Sequence, residues 1–140
     1  MIVVDASVAV KWFVPEILSV AAERLLIERP GELIAPDFFA IEVCAALVRE
    51  ANRDKTNRHG AEAALVTFGE MLQDEEVRLQ QTTLPHLSKG AGIAISIGHP
   101  LKDCIYLALA MERECPLVTA DVKFAEKATQ VWAAVKILGE

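Results

Sequence analysis

The sequence has few cysteines and no long hydrophobic run. No apolar stretch approaches the roughly 18 residues that a helix needs to cross a bilayer, so we expect no membrane span. No basic segment followed by a long apolar one stands at the start, so we expect no secretory signal. The three cysteines, Cys44, Cys104 and Cys115, show no CxxC spacing, which argues against a disulfide framework or a zinc site. We therefore expect core thiols in a cytoplasmic protein.

Positive charge is also scarce. The sequence contains 14 Lys and Arg residues and 20 Asp and Glu residues, which gives a net charge of −6. Such a chain does not hold nucleic acid by general electrostatics, although a nuclease with a local basic path stays compatible with it. The charge favours a basic protein partner or divalent cations.

Repeats, low-complexity segments and linkers are absent too, and 140 residues with 53% hydrophobic content suit one domain, residues 1–140.

Short apolar strands alternate with amphipathic helices along the chain. Strands are predicted at Ile2–Val4, Leu33–Ala35, Val77–Thr82, Pro116–Thr119 and Val135–Leu138. Helices are predicted at Ala6–Phe13, Ile17–Arg29, Pro36–Arg53, Asn57–Asp74, Leu84–Gly98, Asp103–Glu114 and Asp121–Thr129. The segment Leu84–Gly98 is the hardest to assign, because two glycines weaken a helix and three isoleucines alternate as in a strand. This alternation predicts an α/β fold with a mainly parallel sheet.

Two acids, Asp5 and Asp121, each follow an apolar strand and open a helix. In open parallel sheets, ligands bind beyond the carboxyl ends of the strands. If the two strands are neighbours, both acids emerge at the same edge, with the hydroxyl groups of Ser7 and Thr119 beside them. The alternative is that these acids only cap the helices that follow them.

Two further acids lie in apolar helices. Glu42 is the only charged residue in FFAIEVCAALV, and a buried carboxylate is costly unless it is paired, protonated or bound to a metal. The alternative for Glu42 is exposure at the helix edge. Asp103 shares a face with Leu107 and Ala110, but it also suits a first-turn acid that the helix dipole stabilises.

Four such acids brought together repel one another, so their convergence requires a compensating charge. Mg²⁺ and Mn²⁺ are the natural candidates, because hard cations prefer carboxylate and water oxygens. Two ions roughly 4 Å apart can activate a water and stabilise the leaving oxygen of a phosphodiester, and one ion can do a weaker version of this. The spacing predicts a metal-dependent phosphoryl site without deciding the number of ions.

Four motifs in this order, IVVDASV, the apolar helix with Glu42, KDCIYLALA and LVTADVKFAEKA, resemble the PIN-domain family. Among its members, the chain is most similar to the VapC-type ribonuclease toxins of toxin–antitoxin pairs. The resemblance implies a three-layer α/β/α sandwich with a five-stranded, mainly parallel sheet. It also implies a metal-binding and catalytic cluster with two supporting hydroxyl groups. The residues concerned are Asp5, Glu42, Asp103 and Asp121, supported by Ser7 and Thr119.

The same resemblance implies an activity and its partners. The activity is Mg²⁺- or Mn²⁺-dependent endonucleolytic cleavage of RNA that leaves 5′-phosphate and 3′-hydroxyl ends. The partners are a second copy of the chain and a VapB-type antitoxin of a type II system, whose basic or apolar tail would occupy a groove. One departure is the glycine-containing stretch Lys89–Gly98, where the family has a more regular helix.

Several basic and aromatic residues allow two interpretations. A cluster near the end of the third helix could follow an RNA backbone or could be a solvated helix end; its members are Arg49, Arg53, Lys55 and Arg58. Three lysines near the acids in sequence are candidate phosphate contacts: Lys11, Lys102 and Lys123. His99 is interpreted as a turn residue, and His59 and His86 carry no functional signal. Trp12, Phe13 and Trp132 are interpreted as core or dimer-interface residues.

Two other functions are compatible with such a fold. A catalytically silent PIN-fold module that only binds a partner would keep the architecture without the activity. A phosphoacceptor receiver would require a phosphorylatable acid after the third strand, yet VRLQQT ends in Thr82 and is followed by Thr83. A receiver would also require paired acids after the first strand, where Asp5 stands alone. The intact set of four acids argues against the silent module.

Overall fold

The computed structural model describes all residues 1–140 and contains one five-stranded sheet. The strands are β1 (Ile2–Val4), β2 (Leu33–Pro36), β3 (Val77–Gln80), β4 (Leu117–Thr119) and β5 (Val135–Ile137). Their order is β3-β2-β1-β4-β5, and every neighbouring pair is parallel. The mainly parallel sheet predicted from the sequence is therefore parallel throughout, with β1 at its centre. Val3 lies between Ile34 of β2 and Leu117 of β4.

Seven helices flank the sheet, which gives the predicted α/β fold. They are α1 (Ala6–Ala9), α2 (Ser19–Glu28), α3 (Phe39–Arg53), α4 (Arg58–Gln73), α5 (Leu84–Ile97), α6 (Leu101–Glu112) and α7 (Val122–Ala128). Two short 3₁₀ turns follow α1 and α3, at Val10–Trp12 and Lys55–Asn57. None of the helices by itself has both the length and the apolar composition needed to cross a membrane. The pair α5 and α6 reaches that length and composition only when the two helices are taken together, and they are bent by 117° relative to each other.

The core occupies both faces of the sheet. Because successive strand residues point to opposite faces, Leu117 and Val118 belong to two different hydrophobic clusters. The larger cluster has 23 buried residues and includes the α6 residues Tyr106 and Leu107. All three cysteines are free; Cys104 and Cys115 are buried and Cys44 is half-buried, as predicted for core thiols.

Segment Leu84–Gly98 is a regular helix, so the predicted departure from the family pattern does not exist. The side chain of Thr83 accepts a hydrogen bond from the His86 amide and forms a capping box with it. Gly98 ends the helix in the left-handed conformation, with φ at +65°. Gly90 allows α5 to approach α6, since a Cβ there would lie 3.0 Å from Cγ1 of Ile105.

Three predicted boundaries are wrong for identifiable reasons. The helix predicted from Pro36 begins at Phe39, because Pro36 still pairs with Gln80 in the sheet. Strand β3 ends at Gln80 rather than Thr82, because Thr82 bonds instead to the Asp37 carboxylate through its amide at 3.2 Å and its hydroxyl at 2.6 Å. The helix predicted over Ala6–Phe13 is the four-residue α1 followed by a 3₁₀ turn.

Candidate active site

Asp5 leaves the carboxyl end of β1 and caps α1. Its Oδ1 accepts hydrogen bonds from the backbone amides of Ser7 at 3.1 Å and Val8 at 3.3 Å, and from the Ser7 hydroxyl. The residue is only 4% exposed. Burial raises the pKa of Asp5 to about 6; the Ser7 and Thr119 hydroxyl groups oppose that shift, and the nearby charge of Asp103 adds to it. The capping interpretation is correct, and the carboxylate is also costly to ionise without a cation.

Asp121 emerges beside Asp5 because β4 is the neighbour of β1. It is exposed and caps α7, with Oδ1 accepting from the Phe124 amide at 3.0 Å. The Asp121 amide donates to the fully buried Thr119 hydroxyl at 3.1 Å. The two strand-end acids therefore lie at the same edge of the sheet, as the sequence predicts.

Glu42 lies on α3 and is not a lone carboxylate. Its Oε1 accepts a 2.8 Å hydrogen bond from the hydroxyl of Tyr106, a fully buried residue of α6. Its side chain is 22% exposed, and Nζ of Lys102 lies 3.8 Å from Oε2. Burial, followed by the charge of Glu42, raises the pKa of the Tyr106 phenol far above its ordinary value, and Asp5 and Asp103 contribute as well. This tyrosine therefore stays protonated and lies within electrostatic reach of three of the acids.

Asp103 lies in the first turn of α6 and is 31% exposed. Its Oδ2 is 2.6 Å from Nε2 of His99, whose side chain is 9% exposed and stacks on Phe124 with 4.8 Å between ring centroids. His99 does lie in the α5–α6 turn, as predicted, but the sequence analysis missed its contact with Asp103. The spacing of four residues was the available signal.

The ligand atoms of His99, Asp103 and Asp121 all lie within 4.8 Å of one another. Each of the four acids is held by the protein through one oxygen: Oδ1 of Asp5, Oε1 of Glu42, Oδ2 of Asp103 and Oδ1 of Asp121. Carboxylate oxygens are the ligands that Mg²⁺ and Mn²⁺ prefer, and a buried carboxyl that resists ionisation gains most from a nearby cation. The residues present therefore fit a divalent cation.

The candidate phosphate-binding lysines differ in their surroundings. Lys102 is 69% exposed beside Glu42, and Lys123 is exposed in the first turn of α7. Lys11 is 16% exposed and is paired with Glu16, so its charge is already partnered.

The basic cluster on α3 and α4 is a solvated helix end. Arg53 pairs with Glu50 at 2.6 Å, and Arg58 pairs with Glu62 at 2.7 Å. Arg49 and Lys55 are exposed nearby. Pairing with acids leaves this cluster little excess charge for a phosphate backbone.

The large aromatic residues are packed against the core. The indole N–H groups of Trp12 and Trp132 donate to the carbonyl groups of Ala22 and Cys115, at 2.9 and 3.1 Å. Phe13 packs edge-on against Phe68. These residues are therefore half-buried against the core, one of the two predicted locations.

Residues 2–130 match the sequence profile of the PIN domain, so the chain belongs to the PIN domain family. PIN domains are generally nucleases. No significant match was found among curated proteins.

Solved structures with the same fold include proteins of several microbes. The chain is 19% identical to the Pyrobaculum aerophilum protein PAE2754, with a TM-score of 0.72, over 98% of this chain and 88% of that one. It is 16% identical to Mycobacterium tuberculosis VapC20, a toxin that cleaves the sarcin–ricin loop, with a TM-score of 0.70, over 90% and 94% of the two chains. It is 15% identical to a chain of a Klebsiella pneumoniae toxin–antitoxin complex, with a TM-score of 0.66, over 97% and 96%.

Proposed function

We propose that this PIN domain, residues 1–140, is a metal-dependent endoribonuclease and the toxin component of a type II toxin–antitoxin system. The observation that supports the proposal most strongly is the proximity of acids near the carboxyl edge of the sheet. Ligand atoms of Asp103 and Asp121 lie within 4.8 Å of one another, and the charge of Asp103 adds to the effect of burial that raises the pKa of Asp5 to about 6. Ionisation of such a buried carboxyl is costly in the absence of a cation and becomes favourable beside a divalent cation. The fold shared with VapC20 and with the toxin–antitoxin complex agrees with this assignment.

Asp5, Glu42, Asp103 and Asp121 would hold Mg²⁺ or Mn²⁺. When bound, such a cation activates water and stabilises the leaving oxygen of a phosphodiester. Ser7 and Thr119 would keep the strand-end acids in place, and one carboxylate would orient the attacking water in line with the scissile bond. Attack of this water on phosphorus leaves a 5′-phosphate and a 3′-hydroxyl.

Exposed lysines would contact the RNA backbone around these acids. Lys102 and Lys123 are the better candidates, because both are exposed and next to the acids. Lys11 and Arg49 are weaker candidates, the first because it is paired with Glu16 and the second because it lies on the far half of α3.

The proposed protein partners are a VapB-type antitoxin and a second copy of the chain. Large apolar side chains are exposed in the turn before α2, on α2 and on α3, among them Ile17 at 98%, Ile27 at 78% and Ile41 at 73%. Such a surface, on a chain with a net charge of −6, suits a tail that is both apolar and basic. The three free thiols suit the reducing cytoplasm.

Cleavage of a mixed cellular RNA pool by antitoxin-free protein tests the proposal. Discrete cuts are expected with Mg²⁺ or Mn²⁺ and not with EDTA, and their 5′ ends are expected to be ligatable phosphates. Asp5→Asn and Asp103→Asn should abolish the cuts. Asp37→Asn is the matched control, because Asp37 is an exposed acid whose carboxylate is bonded to Thr82.

Two outcomes would contradict the proposal. Equal cleavage by wild type and by both site variants would place the activity elsewhere or in a contaminant. Antitoxin-free protein that neither cuts RNA nor binds Mn²⁺ would indicate the partner-binding module instead.

A further inference from the structure

We propose that His99 and Tyr106 are positioning residues of this site. Each would hold one oxygen of an acid through a fixed hydrogen bond and leave the acid's other oxygen available to the cation. The inference rests on the proposed function, because it concerns how the same acids meet a divalent ion.

Tyr106 holds Glu42 from the interior of the protein. Its hydroxyl donates to Oε1 at 2.8 Å, and its ring is fully buried and packs edge-on against Phe38, with 5.3 Å between ring centroids. Burial and packing of the ring therefore keep the phenolic oxygen beside Glu42. The other oxygen, Oε2, has only the Lys102 ammonium group nearby, and 3.8 Å is too long for a hydrogen bond.

His99 holds Asp103 from the α5–α6 turn. An ionised carboxylate can only accept hydrogen bonds, so Nε2 of His99 carries the proton in the 2.6 Å contact with Oδ2. The imidazole is kept in place by stacking on Phe124, at 24° between the ring planes. The His99 amide donates to the Ala94 carbonyl at 3.0 Å, and Lys127 bonds to the carbonyl of the preceding Gly98 at 2.8 Å. Both the ring and the backbone of the turn are therefore held.

The two donors lie on either side of Asp103, four residues before it and three after it. Residues three apart on α6, Asp103 and Tyr106 lie on the same side of that helix, and the preceding turn brings His99 against Asp103. Ionised acids that lie close together repel one another. Hydrogen-bond donors such as His99 and Tyr106 reduce the free-energy cost of this repulsion when no cation is bound. In metal sites the ligating carboxylates are themselves hydrogen-bonded, and loss of such a partner typically costs about 10- to 100-fold in metal affinity.

Cation binding by antitoxin-free protein tests the inference independently of cleavage. Mn²⁺ binding is measured by electron paramagnetic resonance and Mg²⁺ binding directly by isothermal titration calorimetry. Tyr106→Phe removes only the hydroxyl and keeps the ring; His99→Ala removes the imidazole. Both variants are expected to bind Mn²⁺ and Mg²⁺ about 10-fold more weakly. His99→Gln, which keeps an N–H donor, is expected to recover part of the affinity.

The matched control is His86→Gln. His86 forms the same kind of pair, with Nε2 at 2.8 Å from Glu112, at the far ends of α5 and α6. Glutamine is also compatible with the capping box that His86 completes. Cation affinity in this variant is expected to equal that of wild type, and thermal melting of each variant shows whether it is folded.

Two results would overturn the inference while leaving the proposed function intact. One is unchanged affinity for both cations in folded Tyr106→Phe and His99→Ala. The other is a loss of Mn²⁺ binding alone in His99→Ala, which would make His99 a direct ligand, because imidazole favours transition metals over Mg²⁺. Wild-type protein that binds neither cation would refute the proposed function and this inference together. If Tyr106→Phe does not fold, the comparison of wild type, His99→Ala and His99→Gln tests the inference.

Discussion

The hydroxyl of Ser7 accepts a hydrogen bond of 2.9 Å from the backbone amide of Ala120, 113 residues further along the chain. The same hydroxyl donates to the Asp5 carboxylate and lies 3.4 Å from the Thr119 hydroxyl. One small side chain thus joins the first turn of α1 to the residues that follow β4. Because Asp5 and Asp121 lie at these two points, the contact adds to the pairing of β1 with β4 in setting their relative position.

Ser7→Ala is expected to lower the free energy of unfolding by about 1–2 kcal/mol, because it removes one bond to a carboxylate and leaves the Ala120 amide without its partner. Urea denaturation measures the change. Ser96→Ala is the control, since Ser96 is exposed on α5, and its effect should stay within about 0.5 kcal/mol. Equal unfolding free energies for the two variants would show that the Ser7 contact does not stabilise the protein.

The stability of Asp5→Asn relative to wild type is expected to rise with pH. The folded pKa of Asp5, about 6, exceeds its ordinary value of 3.8, so this carboxyl stabilises the fold below about pH 3.8 and loses that contribution as the pH rises through 6. Asparagine keeps an acceptor oxygen and carries no charge. In EDTA the variant should gain about 2 kcal/mol over wild type between pH 4 and pH 7.

Asp37→Asn is the control of opposite sign. The Thr82 hydroxyl lowers the pKa of Asp37, so its contribution to stability is present above its ordinary pKa and is lost as the pH falls. Relative to wild type, this variant should therefore become less stable as the pH rises. Urea denaturation at several pH values measures the unfolding free energies of Asp5→Asn and Asp37→Asn relative to wild type. A difference between Asp5→Asn and wild type that does not change with pH would mean that Asp5 ionises normally.

Mg²⁺ or Mn²⁺ is expected to raise the melting temperature of the antitoxin-free protein. Binding at a concentration 100 times the dissociation constant stabilises a fold by about 2.7 kcal/mol, which for a chain of this size is roughly 5–10 °C. EDTA should reverse the shift, and Asp103→Asn should abolish it. Glu112→Gln is the control, because Glu112 pairs with His86 outside the site. An equal shift in all three proteins would indicate cation binding elsewhere.

Two glycines of α5 are expected to respond in opposite ways to alanine. At Gly90 a Cβ would lie 3.0 Å from Cγ1 of Ile105 and 3.3 Å from the Cys104 carbonyl oxygen, so Gly90→Ala should destabilise the fold by about 1 kcal/mol net. At Gly92 nothing lies within 4 Å, so Gly92→Ala should stabilise it by about 0.5–1 kcal/mol through helix propensity. The melting temperatures of both variants test this prediction. A higher melting temperature for Gly90→Ala would show that α6 can move away from α5 to accommodate the added Cβ.

The order of strands and helices, and the edge at which Asp5 and Asp121 emerge, follow from local patterns. An apolar run that ends in an acid before a helix specifies a strand end, and a parallel sheet brings such ends to one edge. The errors lie where distant residues compete with local preference. Thr82 ends β3 early because it bonds to Asp37, 45 residues away.

The partner of Glu42 was decided by the tertiary structure alone. Within KDCIYLALA, Tyr106 cannot be distinguished from a core residue, because its polar atom has a function only once α3 brings Glu42 against it, across 64 residues. His99 faces Asp103 because Gly98 turns the chain and Phe124, from another helix, fixes the imidazole. The sequence by itself determined which acids are present and on which elements they lie. Packing between helices determined which oxygen of Glu42 and of Asp103 is held and which is left available to a ligand.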